Sequence, residues 1–391
     1  MTTPDFPLAR RAAEIRPFHV MELLARAKQL EREGRDIVHM EIGEPDFLTP
    51  DVVCEAGIRA IREGHHFYTP SAGIPELREA LAGYYRQRYG VTVAPERIVI
   101  TSGSSGALML AMALLVNPGD RVLMADPGYP ANRNFVRAMG GEALEVAVGA
   151  DTGFQLTDAL VAAHWRERTV GVLLASPSNP TGTLVPPAEL AAIARTAAER
   201  HAALIVDEIY HGLVYEGEAP TVAGMSDEAF VINSFSKYFN MTGWRLGWMV
   251  APTRYLREID KLSQNIYLSA PAASQHAALA ALQPEALAIF EQRRGEFRRR
   301  RDFLVPALRA LGFDIPVTPA GAFYLYAGCE KLTGDSFAFC RDLLEQAGVA
   351  LTPGADFGNH HPERFVRFAY TCAETRLAEG VHRIGAFLGR R

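Results

Sequence analysis

Short apolar runs rich in β-branched residues alternate along the chain with stretches whose apolar positions recur every three to four residues. The runs at 98–101, 122–125, 170–175, 204–206, 231–233 and 246–250 read as strands buried on both faces, and small polar turns follow them. Helical patterns lie between them, so the chain predicts an α/β fold with a mostly parallel sheet covered by helices on both sides. Ahead of the first strand, helices are expected over 20–33 with Gly34 as its stop, over 51–64, and over 75–89 with Pro75 in the first turn. A long helix over 284–311 leads into a last third with its own strands at 322–326 and 364–368. Helices at 336–346 and 375–388 complete a smaller α+β unit there. The expected division is 1–48 as an N-terminal arm and part of a small domain, 49–285 as a large domain, and 286–391 as the rest of the small domain.

Composition narrows the setting. A chain of 391 residues exceeds one ordinary core. Its 48% apolar and 22% charged content describes a soluble globular protein, and a formal charge of −5 offers no general attraction for nucleic acid or an anionic membrane. The dense basic cluster, Arg293-Arg294 with Arg298 to Arg301, reads as a solvated helix face whose stems cover the neighbouring domain. Cys54, Cys329, Cys340 and Cys372 lie far apart with no CxxC pair, which suits reduced thiols in the cytoplasm rather than a zinc site or disulfide frame. The pairs His65-His66 and His360-His361 lack a metal-binding pattern. The longest apolar run, 107–116, falls short of the ~20 residues of a membrane span. No apolar segment followed by a cleavage site marks a signal peptide.

Candidate chemistry gathers where strands end, the edge at which open parallel sheets collect ligands. Beyond 231–233 come Ser234, Ser236 and Lys237, with Arg245 eight residues past the lysine. Burial pushes a lysine toward its neutral, nucleophilic form, which condenses with aldehydes. The hydroxyls and the Arg245 fork suit a phosphate. An aldehyde that carries a phosphate is pyridoxal phosphate (PLP). Beyond 98–101, Gly103, Ser104, Ser105 and Gly106 open into a helix expected at 107–116, an anion site backed by the helix dipole. Tyr129, between two prolines beyond 122–125, is placed to lie on a heteroaromatic ring or to sit in the core. Asn179 projects from a proline-bound turn beyond 170–175. Asp207 ends the strand at 204–206 with Tyr210 three residues on, and a protonated pyridine nitrogen would be a partner for that carboxylate.

Joint occurrence in this order resembles the class I/II PLP-dependent aminotransferases of the aspartate aminotransferase group. The resemblance rests on the turn 176–182, on Val206-Asp207-Glu208-Ile209-Tyr210, on Ser234-Phe235-Ser236-Lys237 and on Gly243-Trp244-Arg245-Leu246-Gly247. It runs from Gly43-Glu44-Pro45-Asp46-Phe47 to Arg367. It implies fold type I: a large domain with a mostly parallel seven-stranded sheet between helices, plus a smaller discontinuous α+β domain. It implies Lys237, Asp207 and Tyr129 as catalytic residues, joined to the aldehyde, paired with the ring nitrogen and stacked on the ring. Asn179 and Tyr210 would hold the phenolic oxygen; Gly103, Ser104, Ser105, Ser234, Ser236 and Arg245 the phosphate. Tyr68 would reach the phosphate in the neighbouring subunit of a homodimer with shared active sites. Arg367, with Gly43 and Asn179, would bind the substrate carboxylate. Lys237 would then move the Cα proton, a task worth ~10²–10⁴-fold, in a ping-pong exchange of amino acid for 2-oxo acid.

One dicarboxylate-specific branch of that family has lysine where this chain has Ser105. Phe18, Val20 and Tyr267 are expected to line the side-chain pocket. The expected donor is therefore neutral (alanine, branched or aromatic) and the acceptor 2-oxoglutarate or pyruvate. The alternatives are an aspartate aminotransferase, a carbon–sulfur β-lyase on the same fold, and a non-catalytic PLP-binding regulator module, for which no helix-turn-helix extension is evident.

Overall fold

A computed structural model describes residues 8–15 and 17–389. The strand β1 (Val38–His39) follows the helix His19–Arg32, and β2 (Ile98–Thr101), β3 (Arg121–Asp126), β4 (Glu142–Ala147), β5 (Thr169–Ala175), β6 (Ala203–Asp207), β7 (Phe230–Ser234) and β8 (Gly247–Val250) come next. Among the described residues, β2 to β8 form one seven-stranded sheet in the order β2-β8-β7-β6-β5-β3-β4. Of these seven strands, β8 runs against the direction of the other six.

Alternation explains the apolar runs. Ile98, Ile100, Leu123, Val172, Leu174, Leu204, Val206 and Trp248 join one core, whereas Val99, Val122, Met124, Leu173, Ile205, Ile232 and Met249 join a second. Successive side chains point to opposite faces, so a sheet packed on both sides must be apolar at every position. Helices Pro75–Tyr89 and Pro187–Glu199 pack on the first face; Gly103–Leu115 and Leu256–Ile266 pack on the second.

The residue pattern missed β4, the seventh strand that the resemblance implied. Its sequence, EALEVA, has glutamates three apart and reads as helical. At the sheet edge it pairs with β3 alone, where charge is tolerated, and Glu145 reaches Arg133 at 2.7 Å. Two further boundaries shift: β8 starts at Gly247 rather than 246, and the helix expected at 107 opens at Gly103.

The last third adds β9 (Tyr324–Gly328), β10 (Val349–Ala350), β11 (Thr352–Pro353) and β12 (Phe365–Ala369). Antiparallel β11-β12-β9 form a second sheet, while β10 pairs in parallel with β1 and so joins the N-terminal segment to the C-terminal third. Asp356 strengthens that join by capping a helix distant in sequence. Its carboxylate accepts from the His19 and Val20 N–H groups at 2.7 and 2.9 Å.

The basic cluster of the long helix Pro284–Ala310 corrects its sequence reading. Arg300 is buried, bonded to Asp46 at 2.8 Å and to the Thr371 carbonyl at 2.9 Å. Arg301, also buried, donates to the Pro319 carbonyl at 2.7 Å, and Arg293 reaches the Leu48 carbonyl at 2.8 Å. These arginines tether the helix to both flanking parts; Arg298 and Arg299 keep the solvated character. No described helix is long and apolar enough to cross a membrane.

Candidate active site

Strand register assembles the site. Ala175 lies beside Asp207, and Asp207 beside Ile232, so the ends of β5, β6 and β7 carry Asn179, Asp207 and Lys237 side by side. Because β8 runs the other way, its start lies at this same edge, with Gly247 opposite both Ser234 and Thr101. That brings Arg245 to the first turn of the helix Gly103–Leu115. The approach is close: a Cβ on Gly247 would fall 2.6 Å from the Gly103 carbonyl carbon and 2.7 Å from the Ser104 nitrogen. A Cβ on Gly103, whose φ is +71°, would fall 2.6 Å from the Arg245 guanidinium. Glycine is needed at both positions.

A cavity of about 290 Å³ opens at this edge. Ser104, Ser105, Ser236 and Arg245 line it, together with Gly43, Tyr129, Asn179, Asp207, Tyr210, Lys237 and Arg367. Lys237 is partly buried, and its Nζ donates to the Gly43 carbonyl at 2.7 Å. Desolvation brings its pKa down to about 8. Desolvation likewise raises Asp207 to about 7, against an opposing pull from the Ile209 N–H, which it accepts at 3.1 Å, and from Lys237. No cation forms an ion pair with Asp207 among the described residues. Burial also raises the Tyr129 phenol.

Arg367 is held rigidly. One Nη donates to Asn179 Oδ1 at 3.0 Å, and the other to the Glu41 carbonyl and to Thr352 Oγ1. The guanidinium lies over the Tyr324 ring at 4.4 Å and the Phe357 ring at 4.8 Å. Its Nε is buried without a partner.

Four expected contacts lie outside the cavity lining, the first being Gly103, which packs against the Arg245 guanidinium beside it. Ser234 stands behind the cavity wall, its Oγ 2.9 Å from Ser236 Oγ and accepting from the Ser236 N–H at 3.0 Å, so its hydroxyl braces the turn. Tyr68 is 85% exposed, outside its own chain's cavity. Phe18 and Val20 line the cavity, whereas Tyr267 does not; it packs against the second core beneath the sheet.

Two residues at the cavity escaped the sequence reading. Tyr324 Oη bonds Tyr210 Oη at 2.8 Å, and a Cβ on Gly43 would fall 2.0 Å from Tyr324 Oη. Glu41 is fully buried: one oxygen accepts from His39 Nδ1 at 2.7 Å and the other has no partner. A carboxylate inside the apolar run at 37–42 was the available signal.

Sequence and structure comparisons show the family. Residues 35–384 match the family described as aminotransferase class I and II. A valine–pyruvate aminotransferase of Mycobacterium tuberculosis is 42% identical over 378 residues, which cover 96% of this chain and 97% of that protein. An aspartate/prephenate aminotransferase of Thermus thermophilus is 37% identical, over 98% of this chain and 99% of its own. The crystal structure of an aminotransferase from M. tuberculosis superposes with a TM-score of 0.96 at 41% identity, covering 99% of this chain and all of that one. With a full-length match laid on a site of this construction, the chain belongs to the class I and II aminotransferases.

Proposed function

We propose that this aminotransferase works with PLP held in the cavity described above and takes its amino group from a neutral L-amino acid. The observation that carries the reading is a partly buried lysine and a buried carboxylate on neighbouring strand ends, facing one cavity with a fixed arginine. The fit is chemical: Asp207 lacks a cation, Arg367 has a buried donor to spare, and Arg245 sits at a helix N-terminus with free N–H groups. A group bearing a phosphate, a basic ring nitrogen and an attached substrate carboxylate would meet all three.

When bound, PLP supplies a reactive aldehyde and a protonated ring that draws electrons from the substrate's Cα. The chain's own residues do the rest. Ser104, Ser105, Ser236, Arg245 and the backbone at Gly103 hold the phosphate, with Ser234 behind them. Asp207 holds a proton on the ring nitrogen. The Asn179 oxygen is taken by Arg367, so its amide N–H₂ is left as a donor toward the phenolic oxygen, beside the Tyr210 hydroxyl. Tyr129 covers the ring. Arg367, whose Nε has no partner, binds the α-carboxylate next to the Gly43 backbone. Lys237 Nζ, poised near neutrality by burial, takes the Cα proton and returns it.

Ser105, Phe18, Val20 and Leu108 at the cavity wall support a neutral side chain, as does the name of the M. tuberculosis relative. Pyruvate or 2-oxoglutarate is the acceptor. The homodimer with shared sites belongs to this reading, supported by the exposed Leu48, Phe67 and Tyr68. So do the domain division at 48 and 285 and the cytoplasm, the latter supported by four unpaired cysteines. A donor and acceptor panel tests the substrate class. Alanine, valine or an aromatic donor should turn over fastest; aspartate ahead of every neutral donor by a wide margin would refute it. Pyruvate and ammonia released from cystathionine without an oxo acid would instead mark a β-lyase.

A further inference from the structure

Tyr324 lines the cavity without a task in the chemistry above, yet it touches groups that this chemistry uses. It opens β9, and the register with β12 sets it diagonally across from Arg367 on the same sheet face. The Arg367 guanidinium accordingly lies over its ring at 4.4 Å. Its hydroxyl stands 2.8 Å from the Tyr210 hydroxyl, and the two rings meet edge to face at 5.7 Å. Gly43, whose carbonyl receives Lys237 Nζ, comes so near that a Cβ there would fall 2.0 Å from Tyr324 Oη. With Phe323 packed against its other edge at 4.9 Å, the side chain is buried and fixed.

Proton counting gives the hydroxyl pair a direction. Each phenol carries one proton, and the bond between the two oxygens uses one of them. Were Tyr210 to spend its proton on Tyr324, it would meet the cavity with lone pairs alone and could not donate to an anionic oxygen there. When Tyr324 supplies the bond instead, the Tyr210 proton is free for the cavity, and the proton received at its oxygen strengthens that donation. Burial raises both phenols, and the stacked guanidinium is the chief influence drawing Tyr324 back, which suits it as the donor. Arg367 in turn donates to Asn179 Oδ1 at 3.0 Å. Asn179, Arg367, Tyr324 and Tyr210 thus form an unbroken chain of contacts along the cavity wall.

We infer that Tyr324 is a positioning residue: its hydroxyl donates to Tyr210 Oη and so turns the Tyr210 proton to the cavity, while its ring seats the Arg367 guanidinium. One side chain thereby sets both the hydrogen bond offered to a phenolic oxygen and the direction of the carboxylate clamp. The inference rests on the roles proposed above for Tyr210 and Arg367. Its two tasks fall to different parts of the side chain, so substitution separates them. Phenylalanine removes the hydroxyl alone, and leucine removes the ring as well.

Equilibrium PLP binding to the parent, Tyr324→Phe, Tyr210→Phe and the double variant tests the hydroxyl. Tyr324→Phe should weaken binding about threefold to tenfold, and Tyr210→Phe about tenfold or more. Added to Tyr210→Phe, the second change should alter binding by less than about twofold, because the Tyr324 proton then has no acceptor. Losses that multiply in the double variant would overturn the inference. Steady-state kinetics at saturating PLP, with the fastest neutral donor of the panel above, test the ring. Tyr324→Phe should keep the donor KM within about twofold, whereas Tyr324→Leu should raise it roughly fivefold or more with a smaller fall in kcat. A phenylalanine variant with a KM raised as far would overturn it equally. Should the leucine variant fail to fold, the binding cycle and the phenylalanine KM still decide. Undiminished PLP affinity in Tyr210→Phe breaks the reading of the cavity; a loss there with none in Tyr324→Phe breaks this inference alone.

Discussion

At the scale of single residues, the site is built from groups that burial has moved off their ordinary protonation. Asp207 shows the consequence most directly. Its folded pKa, about 7, lies above the ordinary 3.8, so between these values the folded chain binds more protons than the unfolded one. The stability this contributes is fully present below about 3.8 and is lost as pH rises through 7. In the cofactor-free protein, Asp207→Asn should remove that slope. The variant should gain on the parent from pH 4 to 8 by a few kcal/mol in thermal melts, since each tenfold change in proton affinity is worth about 1.4 kcal/mol. Parallel melting curves for the two proteins across this range would contradict the burial argument. Such residues were legible because a charged or rigid side chain directly after an apolar run is unusual. Tyr324 was not, since it lies within an apolar run and its partner Tyr210 comes from a distant part of the chain, and Glu41 was legible only as a carboxylate inside an apolar run.

Among elements, strand direction does most to bring the parts together. Six strands could be read from apolar runs because both sheet faces are covered, but β4 could not, since its edge position removes the pressure to be apolar. The antiparallel course of β8 was equally hidden, although it is what carries Arg245 to the first turn of the helix Gly103–Leu115. The helix His19–Arg32 has no cap of its own and takes one from Asp356. Asp356→Ala should cost ~1–2 kcal/mol in denaturant unfolding. It should also raise KM more than it lowers kcat, because Phe18, Val20 and Met21 at the cavity enter or begin that helix. An unchanged midpoint and KM would show that the helix start is held by other means.

For the molecule as a whole, the N-terminal segment and the last third meet through β1 and β10, and the long helix is tied to both sides by buried arginines. Apolar patterning carried the expectation of two units but not these tethers, because a run of arginines looks the same in sequence whether it is solvated or buried. The proposed assembly is testable at this scale. Sedimentation should give twice the 42.8 kDa of one chain, and Tyr68→Phe should weaken PLP binding about tenfold without changing that mass. A monomer with full PLP affinity would remove the shared-site reading.

The central claim is that one amine, at the end of β7, holds the cofactor. Borohydride reduction of the protein mixed with PLP, followed by proteolysis and peptide mapping, should fix the label on Lys237. A label on any other lysine, or none at all, would contradict the account.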